Sequence, residues 1–372
     1  MTKVLIVDDS IVSRQLLKYI FYLSGDISVV AEAKDGNEAI RIMNDRKVQR
    51  PDIITMDIEM PGIDGYETTK IILEQHAIPV VIISNTLQYY SAEKAFRAMQ
   101  AGAVAAVGKP PGLGSPDFYK HARELIDLVK RSAAIDIKRR ISAKYRPQAT
   151  EEVYPPIEKK YAQQTAEEIG NWIQTNQPAV IAIGASTGGP PAIQSILVRL
   201  PADFRMPIVI VQHIASGLAK NFAEWLDKTC PIHCKLAEDG EKLKPETVYI
   251  APNDIHTTVI WPDMLHFRLP GPQEIIVPSA EMLFHSVAEQ YGTHAIGILL
   301  TGMGRDGSRG LLELKNAGAL TIAQDRESSV VYGMPGEAEK LGAACCYLPP
   351  ESIAKILLEI YNAALKEKEQ TR

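Results

Sequence analysis

Short runs of aliphatic and β-branched residues alternate along the chain with longer stretches whose apolar positions recur every three or four residues. The first run, KVLIV (3–7), precedes a predicted helix from Ser10 to about Ser24. Further runs follow at SVVAEA (28–33), DIITM (52–56), PVVIIS (79–84) and AVAAVG (103–108), and a last amphipathic helix is predicted from near Ser115 to about Arg140. Continuous apolar runs are what strands covered on both faces require, so the pattern predicts a parallel sheet with helices on each side. Five strand–helix cycles in about 130 residues make one doubly wound α/β domain.

From about Lys144 to Gln177 the periodicity breaks. RPQATEEVYPPIEKKYAQQTAEE is rich in proline and charge and poor in large aliphatics, which predicts a linker with one short helix at 162–175. Strand signals resume at AVIAIG (179–184), PIVIVQH (207–213), VYIAP (248–252), AIGILLTG (295–302) and ALTIAQ (319–324). The second half is thus expected to be another parallel α/β domain. The expected division is 1–125, a helical and charged linker at 126–176, and 177–365.

Composition narrows the possibilities. The 372 residues are 46% hydrophobic and 23% charged, ordinary for a folded, water-soluble chain. Forty Lys+Arg against 45 Asp+Glu give a net charge of −5, which offers no broad basic surface for nucleic acid. No apolar run reaches the roughly 18 residues of a membrane span, and MTKVLIVDDS is not a signal peptide, so a cytoplasmic protein without membrane insertion is expected. Four cysteines, two adjacent (Cys345, Cys346), make no disulfide framework. Cys230 and Cys234 flank His233 in CPIHC; a zinc site would need a fourth ligand, and reduced, buried thiols are the expected reading.

In parallel sheets, side chains at the carboxyl ends of strands converge on one crevice. Here those ends carry Asp8 and Asp9, Asp57, Ser84 and Lys109. Three crowded carboxylates resist joint ionisation unless a cation joins them, and an all-oxygen donor set suits Mg²⁺. The carboxylate of Asp57 can then attack a phosphoryl donor, with Lys109 and the Ser84 hydroxyl on the phosphoryl oxygens.

In the second half, AVIAI runs into Gly184-Ala185-Ser186-Thr187-Gly188-Gly189-Pro190, a tight turn that lifts a serine hydroxyl beside amide donors at a helix start. His213 ends the next strand on the same edge, and Asp306 lies just past a later strand end, where it can hold an imidazole tautomer. Each has an alternative. GASTGGP can be a phosphate loop. His256 ranks second as base, ahead of His266, His285 and His294. Asp306 can simply cap a helix, and Thr187 can either donate to an oxyanion or satisfy the turn. Gly302-Met303-Gly304-Arg305-Asp306-Gly307, with Asp325 about 20 residues on, also fits a dinucleotide fingerprint. Asp306 would then repel the pyrophosphate, and GASTGG and His213 would have no role.

KVLIVDDS, ITMDIEMPGIDGYE, VVIIS and GKP resemble the receiver domain of two-component response regulators. IGASTGGP, VQHI, YIAPNDIH, PSAEMLFHSVA, ILLTGMGRDGSRGL and TIAQDRESSVVYGMP resemble the catalytic domain of chemotaxis protein-glutamate methylesterases/protein-glutamine glutaminases. The resemblance implies a flavodoxin-like receiver followed by a Rossmann-like esterase domain. It implies phosphorylation of Asp57 by a chemotaxis histidine kinase, with Mg²⁺ on Asp8, Asp9, Asp57 and the backbone carbonyl of Glu59. It implies Ser186 as nucleophile, His213 as base and Asp306 as its orienting carboxylate, with Thr187 and the backbone around Met303 lining the oxyanion hole and no cofactor for the esterase. Substrates would be methylated glutamates and certain glutamines on methyl-accepting chemoreceptors, attacked once phosphorylation relieves inhibition by the receiver. Two positions depart from the family pattern: Ala106 stands where an aromatic switch residue is common, and IASGLAKNFAEW follows His213 in place of a proline-rich turn. A receiver joined to a dinucleotide-binding or non-catalytic domain is the competing reading.

Overall fold

Each apolar run of the first half becomes a buried strand in the computed structural model, which describes residues 1–85, 92–135, 169–170, 172, 175–214 and 217–370. Contacts divide the chain into two units, Met1–Tyr145 and Arg146–Arg372. The first contains β1 (Thr2–Val7), α1 (Ile11–Leu23), β2 (Ile27–Ala33), α2 (Gly36–Asn44), β3 (Ile53–Met56), α3 (Gly65–His76), β4 (Val80–Ser84), α4 (Ala92–Gln100), β5 (Ala105–Gly108) and α5 (Phe118–Ala133). The strands form one parallel sheet in the order β2-β1-β3-β4-β5. Ser10, Asp35 and Asp64 cap α1, α2 and α3 by accepting an amide from the first turn, which fixes where each helix leaves its strand. The last helix ends at Ala133; its expected extension to Arg140 and most of the helix expected at 162–175 lie outside the described residues.

The second unit contains β6 (Val180–Ala185), α6 (Gly189–Leu197), β7 (Ile208–Gln212), α7 (Ala219–Thr229), β8 (His233–Leu236), β9 (Thr247–Ile250), β10 (His256–Ile260), β11 (Met264–Arg268), α8 (Ala280–Tyr291), β12 (Ala295–Leu299), α9 (Ser308–Asn316), β13 (Leu320–Gln324), α10 (Met334–Leu341), β14 (Cys346–Leu348) and α11 (Pro350–Gln370). Seven strands pair in the order β14-β13-β12-β6-β7-β9-β8, all parallel. The chain starts this sheet at β6, builds outward through β7, and returns to the other side of β6 with β12. That reversal opens a crevice at the carboxyl end of β6.

The second domain's main sheet is parallel, as expected, and the domain carries additions to it. β10 and β11 make a separate antiparallel hairpin, and β8 and β14 add edge strands the apolar pattern does not reveal. β8 and β11 escape the apolar pattern through exposure. HCKL and MLHFR leave side chains in solvent, so neither reads as a continuous buried run. The central strands differ: every residue of β6, β7, β12 and β13 is buried. Val180, Ala182, Val209 and Val211 pack there against Leu283, Phe284 and Val287 of α8. At about 1.5–3 kcal/mol per fully buried large aliphatic or aromatic side chain, this packing gives the crevice a rigid floor.

Candidate functional site

Strand register brings the second unit's candidates together. Ala185 pairs with Gln212, and the His213 amide donates to Ala185 O at 2.9 Å, so Ser186 and His213 emerge from adjacent strand ends. On the other side of β6, Leu299 pairs with Gly184, and the Ser186 amide donates to Thr301 O at 3.0 Å. The loop after β12 therefore passes beside the serine on its way to Asp306. That passage is tight: a Cβ on Gly302 would lie 2.7 Å from Ser186 Cβ and 2.3 Å from Met334 Sδ. Gly188, at φ 80°, makes the left-handed turn that starts α6 behind the serine.

Asp306 is the most heavily engaged group. His213 Nε2 stands 2.9 Å from Asp306 Oδ2, the histidine side chain 20% exposed and the aspartate 6%. The same Oδ2 accepts the Ala280 amide at 2.7 Å, while Oδ1 accepts the Ser279 hydroxyl at 2.6 Å and the Glu281 amide at 3.3 Å. Burial pushes this carboxyl up, but His213, Ser279 and Ala280 outweigh it and hold it below its usual range. The carboxylate thus meets His213 and the first amides of a helix at once. The capped helix is α8 rather than the one that follows Asp306, since α9 starts from Gly307 without a side-chain cap. An ionised carboxylate only accepts, so Nε2 carries the imidazole proton and Nδ1 is left as the basic nitrogen.

The remaining histidines are otherwise occupied. His256 is 1% exposed; its Nδ1 accepts the Ser279 amide at 3.2 Å and its Nε2 lies 3.3 Å from Glu274 Oε2 without an aligned hydrogen bond. Burial holds its pKa below the usual histidine value. It supports the Asp306 site from behind. His285 pairs with Glu313 at 2.6 Å, His266 with Asp239 at 3.4 Å, and His294 Nδ1 lies 3.0 Å from Gln177 O. Thr187 O accepts the Thr301 hydroxyl, while no described residue accepts from the Thr187 or Met303 amide. The dinucleotide reading needs Asp325 on a ribose, but its carboxylate takes the Ser328 amide and hydroxyl. Cys230 and Cys234 are free and buried, the first thiol pushed up to about 11 by burial and the second higher still. Asp227, beside them, holds His233 at 2.8 Å.

In the first unit, Val7 faces Met56 across β1 and β3, which sets Asp8 and Asp57 level. Ligating oxygens of Asp8, Asp9 and Asp57 lie within 4.8 Å of one another, Asp9 exposed and the other two buried. Lys109 Nζ reaches Asp57 Oδ2 at 2.6 Å and Asp8 Oδ2 at 2.7 Å. Burial pushes Asp8 upward against the pull of Lys109, so the buried acid disfavours its own charge. A hard cation relieves that, and the carboxylate oxygens together with the exposed edge at Asp9 fit one. The Glu59 side chain turns away to Lys94 Nζ at 2.7 Å, which leaves only its backbone carbonyl for such a role. Ser84 is buried at the end of β4, and Ala106 lies in β5 opposite Ile82.

Three buried residues that sequence reasoning did not single out hold this constellation: Gln212, Ser279 and Thr301. Ser279 carries a local signal, a serine before an apolar helical run, and it does cap α8 through Met282 N. Its bond to Asp306, 27 residues on, carries none.

Residues 181–357 match the family described as CheB methylesterase, and residues 4–114 match the response regulator receiver domain family. The chain is 40% identical to protein-glutamate methylesterase/protein-glutamine glutaminase 2 of Methanospirillum hungatei JF-1, over 96% of this chain and 97% of the relative. It is also 40% identical to protein-glutamate methylesterase/protein-glutamine glutaminase 1 of Syntrophus aciditrophicus, over 97% and 98%. Among solved structures, the catalytic domain of Thermotoga maritima CheB methylesterase is 38% identical, covering 50% of this chain and 99% of its own, with a TM-score of 0.47. The response regulator domain of Thermotoga maritima CheB is 38% identical over 37% and 98%, with a TM-score of 0.32.

Proposed function

The chain belongs to the protein-glutamate methylesterase/protein-glutamine glutaminase family, and from that premise we propose that Ser186, His213 and Asp306 carry the hydrolysis of glutamate γ-methyl esters. The enzyme is a carboxylic ester hydrolase with glutaminase activity that serves adaptation in chemotaxis signalling. The observation that carries the site assignment is the 2.9 Å contact of His213 Nε2 with a carboxylate fixed by three further donors.

In this reading the reaction follows the order of serine esterase chemistry. Ser186 Oγ attacks the ester carbonyl while His213 Nδ1 takes its proton, and Asp306 stabilises the resulting imidazolium. The amides of Thr187 and Met303, unclaimed by any described acceptor, suit the developing oxyanion, each such donor being worth about 3 kcal/mol of barrier. The imidazolium returns its proton to the departing methoxide, giving methanol. Water, deprotonated by the same nitrogen, then releases glutamate from the acyl-enzyme. With a glutamine substrate the leaving group is ammonia.

The substrates in this reading are the cytoplasmic helices of methyl-accepting chemoreceptors, so the enzyme acts in the cytoplasm; no helix among the described residues is long and apolar enough to cross a membrane. In this reading residues 1–125 are the receiver, 126–176 the linker and 177–365 the esterase, with α5 (Phe118–Ala133) running across the first boundary as one helix. A chemotaxis histidine kinase phosphorylates Asp57. Asp8, Asp9, Asp57 and the Glu59 carbonyl would hold Mg²⁺, whose charge would offset that of the phosphoryl group. Lys109 supplies a fixed positive charge to the phosphoryl oxygens, and the Ser84 hydroxyl a hydrogen bond. Phosphorylation lifts the receiver's inhibition, and Ala106 leaves that switch to Ser84 without an aromatic partner.

The test is release of radiolabelled methanol from membranes carrying methylated receptors. Wild type releases it and Ser186→Ala does not. Equal release from both would remove Ser186 from the mechanism.

A further inference from the structure

Gln212 is the last residue of β7, sits between the nucleophile and the base in space, and is 2% exposed. Its Nε2 donates to Ser186 O at 2.9 Å and to His213 O at 2.8 Å. Two carbonyl oxygens converging on one atom require an N–H donor there, which fixes the orientation of the carboxamide. Its other end is unusual. Oε1 is buried and accepts no hydrogen bond. It points to Gly189, where any Cβ would stand 2.0 Å from it. The glycine thus leaves room for the amide group, and its own N–H adds a second donor to Ser186 O at 2.8 Å.

A buried acceptor without a partner is unfavourable, and an apolar side chain of the same length would fill the space without that penalty. What the carboxamide supplies that a hydrocarbon cannot is its pair of N–H bonds. Both end on the backbone of the two residues whose separation governs proton transfer. The parallel ladder itself stops just short of them: its last pair is Ala185 with Gln212, and beyond it the His213 amide bond to Ala185 is the only backbone tie between the two strand ends among the described residues.

We propose that Gln212 is a positioning residue for this reaction, a clamp that continues the β6–β7 pairing by one step and sets the distance between Ser186 and His213. The inference rests on the roles proposed above for those two residues. Without the clamp the two loops drift apart while the sheet below stays intact. A displacement of about 1 Å at a reacting pair costs up to 10²-fold in rate, and substrate binding, which the carboxamide does not touch, is unaffected.

The test compares wild type, Gln212→Met, Gln212→Glu and Ser186→Ala as full-length proteins. Methionine keeps the length and removes both donors; glutamate keeps the shape and turns an oxygen toward the two carbonyls. Two readouts are taken: the rate of covalent labelling of Ser186 by a fluorophosphonate, and kcat and KM for methanol release. Both variants are expected to label and turn over 10- to 100-fold more slowly per folded molecule, with KM within twofold of wild type. Gln212→Met keeps a thermal unfolding midpoint close to that of wild type, whereas Gln212→Glu, which buries a carboxyl against two carbonyl oxygens, lowers it. Labelling at the wild-type rate would overturn the clamp. So would a loss that merely follows the folded fraction in both variants. Wild type that labels no faster than Ser186→Ala would instead strike the nucleophile assignment, a failure distinct from equal labelling of the variants.

Discussion

Replacing Asp306 by asparagine separates two things a carboxylate does for a histidine: it fixes the tautomer and it supplies charge. Asparagine retains one accepting oxygen and places an NH₂ where the other stood. If the NH₂ faced His213, Nε2 would have to accept, Nδ1 would carry the proton, and the base would be disabled, a loss of about 10⁴-fold. The surroundings oppose that orientation. The oxygen that meets His213 also takes the Ala280 amide at 2.7 Å, so an NH₂ there would confront an N–H at the start of α8. At the other oxygen the partners are the Ser279 hydroxyl, which can turn to accept, and the Glu281 amide, whose bond is long at 3.3 Å. Asparagine therefore keeps its oxygen on His213 and the tautomer survives. What is lost is charge. The difference between a charged and a neutral hydrogen bond is about 1.5 kcal/mol. Coulomb attraction to the imidazolium at roughly 4 Å and an effective dielectric constant of 20 gives an upper figure of about 4 kcal/mol. At 1.36 kcal/mol per decade, kcat of Asp306→Asn is expected to fall by about 10- to 10³-fold. Asp306→Ala, which strands the Ser279, Ala280 and His213 donors together, is expected to fall further. The assay is methanol release at saturating receptor substrate. A 10⁴-fold loss for asparagine equal to that for alanine would refute the argument that Ala280 selects the oxygen, and a loss under threefold would refute the role of charge.

The fold and the site yield other tests. Gly302→Ala places a methyl 2.7 Å from Ser186 Cβ, so it should cost about 1–3 kcal/mol of stability and at least tenfold in kcat, read by urea midpoint and methanol release. Asp306 is held below its ordinary value of 3.8, so the fold favours its ionised form. The stability this contributes is fully present above that value and is lost as pH falls through the lower, folded-state value. The urea-midpoint advantage of wild type over Asp306→Asn should therefore shrink below pH 3.8 and stay flat above it; an advantage that instead grows on acidification would contradict the sign.

The parts of this protein legible in the sequence are those fixed by burial on both faces. KVLIV, DIITM, AVIAIG and PIVIVQH announce central strands because helices cover both sides of each, and their carboxyl ends then name Asp8 and Asp57 as neighbours in the first unit and Ser186 and His213 as neighbours in the second. The β10–β11 hairpin stayed hidden because its buried positions include His256, Thr257 and Thr258, which read as polar. Gln212, Ser279 and Thr301 stayed hidden for another reason. Each acts through bonds to residues distant in sequence: Thr301 Oγ1 to Thr187 O, Ser279 to Asp306, Gln212 to Ser186. A local pattern carries no trace of such a partner. His256 illustrates the converse, a histidine whose motif invites a catalytic reading and whose burial behind Ser279 gives it a supporting one.

The claim that joins the two units is that chemistry at Asp57 governs chemistry at Ser186. The direct test follows methanol release from methylated receptor membranes before and after addition of a small phosphodonor with Mg²⁺, for wild type, Asp57→Asn and Ser186→Ala. A coupling of about 1–3 kcal/mol corresponds to a 5- to 150-fold rise in wild type; Asp57→Asn should keep its basal rate without the rise, and Ser186→Ala should release none in either condition. Equal stimulation of wild type and Asp57→Asn, or release that persists in Ser186→Ala, would contradict the account.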